Sequence, residues 1–140
     1  MAKKRLKLST FQIGTPAKRG QGLRLGTVRY PPRGVRKSEY VELGLFDVWL
    51  PSVAPSRALL QRFRAGGYSA AAFRKFCASY ERELLGTAEG RQTVEFLALL
   101  ATRIPISIGC HCSDERRCHR SQLKKMIERA AMSSVRLSGV

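Results

Sequence analysis

The densest set of reactive side chains in the chain is Cys110-His111-Cys112-Ser113-Asp114-Glu115-Arg116-Arg117-Cys118-His119-Arg120. Three of the four cysteines, both histidines and three arginines fall in these eleven residues. Neighbouring arginines favour thiolate over thiol, and a helix start after the loop would add its positive dipole end. Histidine can accept, donate or shuttle a proton near neutral pH. A first reading is therefore an anion or nucleotide site in which a cysteine acts as thiolate. Cys110 and Cys118, with His119 beside them, are its candidate catalytic residues. Arg117 and Arg120 are candidate anion ligands, because a guanidinium can hold a phosphate or carboxylate bidentately.

A second reading is a zinc or redox site made of Cys110, Cys112, Cys118 and His119. The residue types suit zinc, but Cys-x-Cys is tighter than the usual gap of two to four, and adjacent Cys118 and His119 reach one tetrahedral ion poorly. No cofactor is expected on this count. A third reading is structural: Cys110 and Cys118 as small buried residues, His119 hydrogen-bonded in the core, the arginines solvated. A phosphatase loop built on Cys112 is disfavoured. It needs a cysteine, five residues and then an arginine; after Cys112 that position holds Cys118, and Arg117 comes one residue early.

The flanking sequence says what must position this loop. Ile104-Pro105-Ile106-Ser107-Ile108-Gly109 reads as a buried strand, central and parallel. A helix beginning near Cys118 follows, burying Leu123, Met126, Ile127 and Ala130. Residues 5–13 and 22–29 alternate apolar and polar side chains and read as two further strands. Pro31-Pro32-Arg33-Gly34 ends the second in a rigid turn. Residues 35–53 are apolar in places but fit neither period. Pro55 is suited to starting a helix that Gly66-Gly67 ends. Ser69 and Thr87 are candidate N-caps of two more helices. The first carries the stripe Ala72, Phe73, Phe76, Cys77, Tyr80 and Leu84; the second buries Val94, Leu97, Ala98 and Ala101.

Strands separated by helices imply an α/β domain whose parallel or mixed sheet is covered on both faces. In such sheets ligands bind beyond the carboxyl ends of the strands, where the cysteine loop lies. If the second strand neighbours strand 104–109, Arg29 and Arg33 join the same anion pocket.

The chain has 140 residues and 44% hydrophobic side chains, enough for one ordinary core. A single domain over 1–140 is expected, with a core of about 5–132 and a frayed tail at 133–140. No apolar run approaches the ~20 residues that cross a bilayer, and no secretory h-region follows the basic start. Clustered rather than dispersed cysteines suit a reducing compartment, so a cytoplasmic location is expected, with no membrane partner. The net charge is +16, and residues 1–38 hold eleven Lys or Arg and no acid. That field attracts anions, nucleic acid foremost among them. A non-catalytic nucleic-acid-binding module driven by Lys3, Lys4, Arg5 and Lys7 is therefore an alternative function.

The chain resembles the family catalogued as domain of unknown function 488, and within it the YeaO-like members. The resemblance rests on Cys110 at a strand end, seven residues, and then Cys118-His119-Arg120 at a helix start. It also rests on Gly22-Leu23-Arg24-Leu25, on Pro32-Arg33-Gly34-Val35, on Trp49-Leu50-Pro51 leading to Ala54-Pro55-Ser56, and on Phe73 with Tyr80 and Glu83-Leu84. It spans roughly residues 5–130. Many members carry a carboxylate two residues after the first cysteine, where this chain has Cys112. YeaO-like members often lack the Cys-His-Arg triplet, so this chain combines two patterns. The resemblance implies a Rossmann-like three-layer α/β sandwich, a small mostly parallel sheet with helices on both faces, and supplies no reaction. Whether the protein is an enzyme, and its oligomeric state, stay open at this point.

Overall fold

The computed structural model describes residues 6–138, with side chains through residue 133. Four short strands, β1 (Leu8–Gln12), β2 (Leu23–Gly26), β3 (Val48–Trp49) and β4 (Ile106–Cys110), form one sheet in the order β1-β4-β2-β3. Every pairing is parallel. β4 is central, as its unbroken burial requires, and pairs Leu8 with Ile106 on one side and Leu23 with Ile106 on the other. The strand starts at Ile106 rather than Ile104. Ile104 follows the helix Ala88–Arg103 and is exposed, and Pro105 has no amide to give a ladder.

The helices are α1 (Arg57–Ala65), α2 (Ala70–Leu85), α3 (Ala88–Arg103) and α4 (His119–Ser138). Ser69 and Thr87 cap α2 and α3, each accepting the amide three residues on. α1 starts two residues later than Pro55 implied. Ser56 is its N-cap, accepting the Leu59 amide, and Pro55 lies outside the helix. α4 continues to Ser138, past Met132, where fraying was expected to begin. Lys3, Lys4 and Arg5 lie outside the described residues.

Two cores follow from the two sheet faces. On one face Leu25, Ile106 and Ile108 pack with Leu59 and Phe63 of α1, Phe76, Tyr80 and Leu84 of α2, Val94, Leu97, Ala98 and Ala101 of α3, and Leu123, Met126 and Ile127 of α4. The opposite face is covered by residues 28–46, whose helical element is a single 3-10 turn at Lys37–Glu39. There Phe11, Ile13, Val28, Tyr40 and Phe46 pack with Cys110 and Cys118. This α/β three-layer arrangement places the carboxyl ends of β2 and β4 side by side. Among the described residues no helix is long and apolar enough to cross a membrane.

On that second face the sheet carries glycine where aromatics press against it. A Cβ on Gly109 would overlap the Phe11 ring, and one on Gly26 would overlap the Phe46 ring. Arg24 is buried among them, its guanidinium 4.1 Å from the Phe11 centroid and donating to the carbonyls of Thr15 (2.8 Å) and Gly44 (3.3 Å). Arg24 supplies the order that residues 35–53 lack as periodicity.

Candidate functional site

β4 ends at Cys110, the chain turns outward through His111–Arg117, and it re-enters at Cys118 to begin α4. Asp114 stabilises the turn by accepting the Arg116 amide. The out-and-back path brings residues of poor sequence spacing together. The sulfurs of Cys110, Cys112 and Cys118 all lie within 4.8 Å of one another, and Cys110 and Cys112 are 3.6 Å apart. None is in a disulfide; Cys110 and Cys118 are buried and Cys112 is exposed.

Three close thiols cannot all ionise, because like charges at this range disfavour one another. The hydrogen bonds decide which one does. The exposed Cys112 sulfur accepts from the Cys110 and Cys118 thiols, and with the fields of His119 and Arg120 this draws its pKa down to about 2. Donating to Cys112 pushes Cys110 up to about 11. Cys118 is also pushed up, by its bonds to Cys110 and Cys112 and by burial. The cluster thus favours ionisation at Cys112 over Cys110 and Cys118.

His119 is buried behind the cluster. Its Nε2 lies 2.6 Å from the Thr27 carbonyl, and a carbonyl only accepts, so Nε2 carries the proton. Burial lowers its pKa to about 4, against the weaker raising effect of that bond. The ring is therefore neutral at pH 7, and the lone pair of Nδ1 faces Cys118 Sγ at 4.0 Å. Tyr80 packs edge-on against the ring at 5.9 Å, its own hydroxyl bound to the Val53 carbonyl. Thr27 completes the support by donating from Oγ1 to the Gly109 carbonyl, 2.9 Å away.

Arg120 does not take the place expected of an anion ligand. It is 4% exposed, and its Nη1 donates to the carbonyl of Cys112 at 2.6 Å and lies 3.8 Å from Cys118 Sγ. It closes the cysteine loop from behind and does not line the cleft in front. That cleft, of about 550 Å³, is lined by Cys110, His111, Cys112, Cys118 and His119 together with Arg29, Arg33, Arg64 and Arg117. The adjacency of β2 and β4 brings the Pro31–Arg33 turn to the cysteine loop, as the strand order requires. Arg29 is partly committed, donating to the carbonyls of Pro55 (3.0 Å) and Ala54 (2.7 Å). Arg117 donates to the Tyr68 carbonyl at 3.1 Å, tying the loop to the α1–α2 turn. Arg33, Arg64 and Arg117 are exposed.

The sequence reading missed Arg64, Tyr68 and Tyr30, which line the same cleft, and Thr27, which orients His119. Arg64 and Tyr68 flank Gly66-Gly67, a turn signal that marks a loop but carries no chemistry of its own. His119 is not among the residues able to share one ion; that group is Cys110, Cys112 and Cys118 alone. Its Nδ1 lies 4.0 Å from Cys118 Sγ, so adjacency does not separate those two donors, and the tight Cys-x-Cys step does not keep the sulfurs apart either.

No curated protein and no solved structure matches the chain. Residues 8–131 match the DUF488-N3a family, described as the active DUF488-N3 subclade. The chain therefore belongs to the domain of unknown function 488 family, in that subclade.

Proposed function

We propose that the protein binds a phosphate-bearing ligand, a nucleotide or nucleic acid, in the cleft over the cysteine cluster, with Cys112 as its reactive thiolate. The observation that carries this reading is the composition of the cleft wall. Among the described residues it holds Arg29, Arg33, Arg64 and Arg117 and no Asp or Glu, with the Cys112 thiolate at its floor. Its volume suits one small ligand, and Tyr30, Tyr68 and Phe63 supply apolar faces for a base. Cys110 and Cys118 act as donors that hold the thiolate, rather than as nucleophiles, and Arg120 positions the loop. The description of the subclade as active accords with a reactive thiolate.

The test is alkylation of the native protein by iodoacetamide across pH, with and without nucleotide. Modification of Cys112, with a rate that stays flat well below the ~8.5 of a free thiol and slows when adenosine 5′-monophosphate is added, is the expected result. A Cys112 that reacts only above pH 8, with no protection, would overturn the reading. In that case the alternative of a non-catalytic binding module is left.

A second reading has its own observation. Zn–S bonds of ~2.3 Å place tetrahedral sulfurs about 3.8 Å apart, close to the 3.6 Å between Cys110 and Cys112. Three cysteines would leave a fourth position open to the cleft. Elemental analysis of freshly purified protein separates the two. About one zinc per chain, lost in Cys112→Ser, favours the metal; unmetallated, alkylatable protein favours the thiolate.

A further inference from the structure

A second basic depression lies across α1 from the cleft. It encloses about 610 Å³ between α1 and α2 and is lined by Arg62, Lys75 and Arg82, with Phe63 and Phe76 at its base. Those two phenylalanines also line the cleft, so α1 is the ridge between two adjoining hollows. From Arg57 to Tyr80 the sequence has five basic residues (Arg57, Arg62, Arg64, Arg74 and Lys75) and no acidic one, and Arg82 follows between Glu81 and Glu83. Arg62, Arg64, Arg74, Lys75 and Arg82 are all exposed. Arg62 and Arg64 sit on opposite sides of the ridge, one on each hollow. Lys75 and Arg82 are two helical turns apart, ~10 Å along α2, which is the axial span of about three nucleotides.

Where the two hollows meet stands Tyr68. It is 49% exposed and has φ 57°, the one non-glycine residue of positive φ among the described residues. A bulky residue held in the left-handed region is costly, and such strain persists where the surroundings enforce it. Here the Arg117 guanidinium holds the Tyr68 carbonyl, and the ring meets Phe63 edge-on at 4.9 Å. The result is an aromatic side chain fixed at the mouth of the cleft, beside the basic groove.

We infer that the α1–α2 groove is a backbone track for single-stranded nucleic acid, with Arg62, Lys75 and Arg82 on successive phosphates, Tyr68 stacking on a base, and one nucleotide turned into the cleft. This rests on the cleft reading above and sharpens it: the substrate is a nucleotide within a strand, not a free one. A basic groove with an interleaved aromatic is how single strands are held without sequence preference. A base must leave its stack before it can enter the cleft, which favours single strands over duplex.

The test measures binding of a fluorescent single strand of about twelve nucleotides, as DNA and as RNA, and of adenosine 5′-monophosphate, at several salt concentrations. The triple variant Arg62→Ala, Lys75→Ala, Arg82→Ala should weaken strand binding roughly tenfold to 100-fold and lower the salt slope by about 2, at ~0.7 per phosphate contact. Its affinity for the mononucleotide should not change. Tyr68→Gly, which suits the backbone conformation, should cost roughly another tenfold on the strand. A charge-matched control, Arg103→Ala, Lys124→Ala, Lys125→Ala, should bind like the wild type. Equal losses in the control and the triple variant would overturn the track, since net charge alone would then explain binding. So would a duplex that competes as well as the single strand. Strand binding that fails in the triple variant, in a wild type that ignores the mononucleotide, would keep the track and sink the cleft reading.

Discussion

On one face of the sheet, Leu25, Ile106 and Ile108 meet buried side chains from all four α-helices. On the other, Arg24, Gly26, Ser107 and Gly109 meet the irregular segment 28–46. The first face is aliphatic and aromatic. The second contains Ser9 Oγ, Arg24 Nε and Ser107 Oγ, buried atoms that find no hydrogen-bond partner among the described residues. Buried polar atoms without partners weaken a core, so most of the stabilisation comes from the helical face. The second face contributes placement: its core includes Cys110 and Cys118 and so extends into the thiol cluster. One face keeps the protein folded, and the other sets the distances between the reactive groups.

The sharpest way to break this division is to damage the helical face alone. Leu97 is buried between α3 and the core, and Leu97→Ala should cost about 4 kcal/mol in chemical denaturation. The alkylation rate of Cys112 in the folded fraction should stay as it was. A rate that falls with stability would mean that the two faces are not separable.

Acid tests the junction between them. His119 has a pKa near 4 when folded, against 6.5 in the unfolded chain. The unfolded state therefore takes up the proton first, and stability falls as pH drops from 6.5 to 4, with no further loss from this group below that. The difference corresponds to about 3 kcal/mol. In His119→Gln the same pH window should be flat; an unchanged slope would assign the acid sensitivity elsewhere.

Smaller changes sharpen the contrast. Gly109→Ala forces a methyl into the Phe11 ring next to Cys110. A loss of about 2 kcal/mol is expected, together with slower Cys112 alkylation, because the cluster is displaced with the strand end. Stability lost with reactivity intact would count against the placing role of this face. At the far end of the scale, Cys112→Ser should leave the native fold in place, as far-UV circular dichroism would show. It should also remove the fast-alkylating thiol entirely, as mass spectrometry would show.

Much of the helical face was legible in the sequence because it is written in periods. Phe76, Tyr80 and Leu84 recur at helical spacing, Ser69 and Thr87 cap what they were read to cap, and the run Ile106–Cys110 is too continuously apolar for an edge strand. The second face is not periodic. Tyr40 and Phe46 reach the core from a segment with one short 3-10 turn, so no alternation announces them. The site shows the same split. The loop that carries it was evident from residue types alone. The convergence of three sulfurs was not, because it depends on an out-and-back path over eight residues rather than on ladder or helix geometry. Arg120 was misplaced for a related reason. Two residues past Cys118, it is buried on the inner side of the first helical turn, where its Nη1 donates to the Cys112 carbonyl.

β4 is the central strand, yet it follows both of its neighbours by a long stretch of chain, Leu8 and Leu23 each pairing with Ile106. β1 pairs only with β4, so until residues 106–110 insert, it has no sheet to join. Closing loops of this length comes late and makes folding slow, with unsatisfied strand edges waiting meanwhile. For the function proposed above, this order of events has a protective effect. The donors of the proposed Cys112 thiolate, Cys110 and Cys118, meet it only when the last strand is in place, so its reactivity would arrive together with the finished sheet.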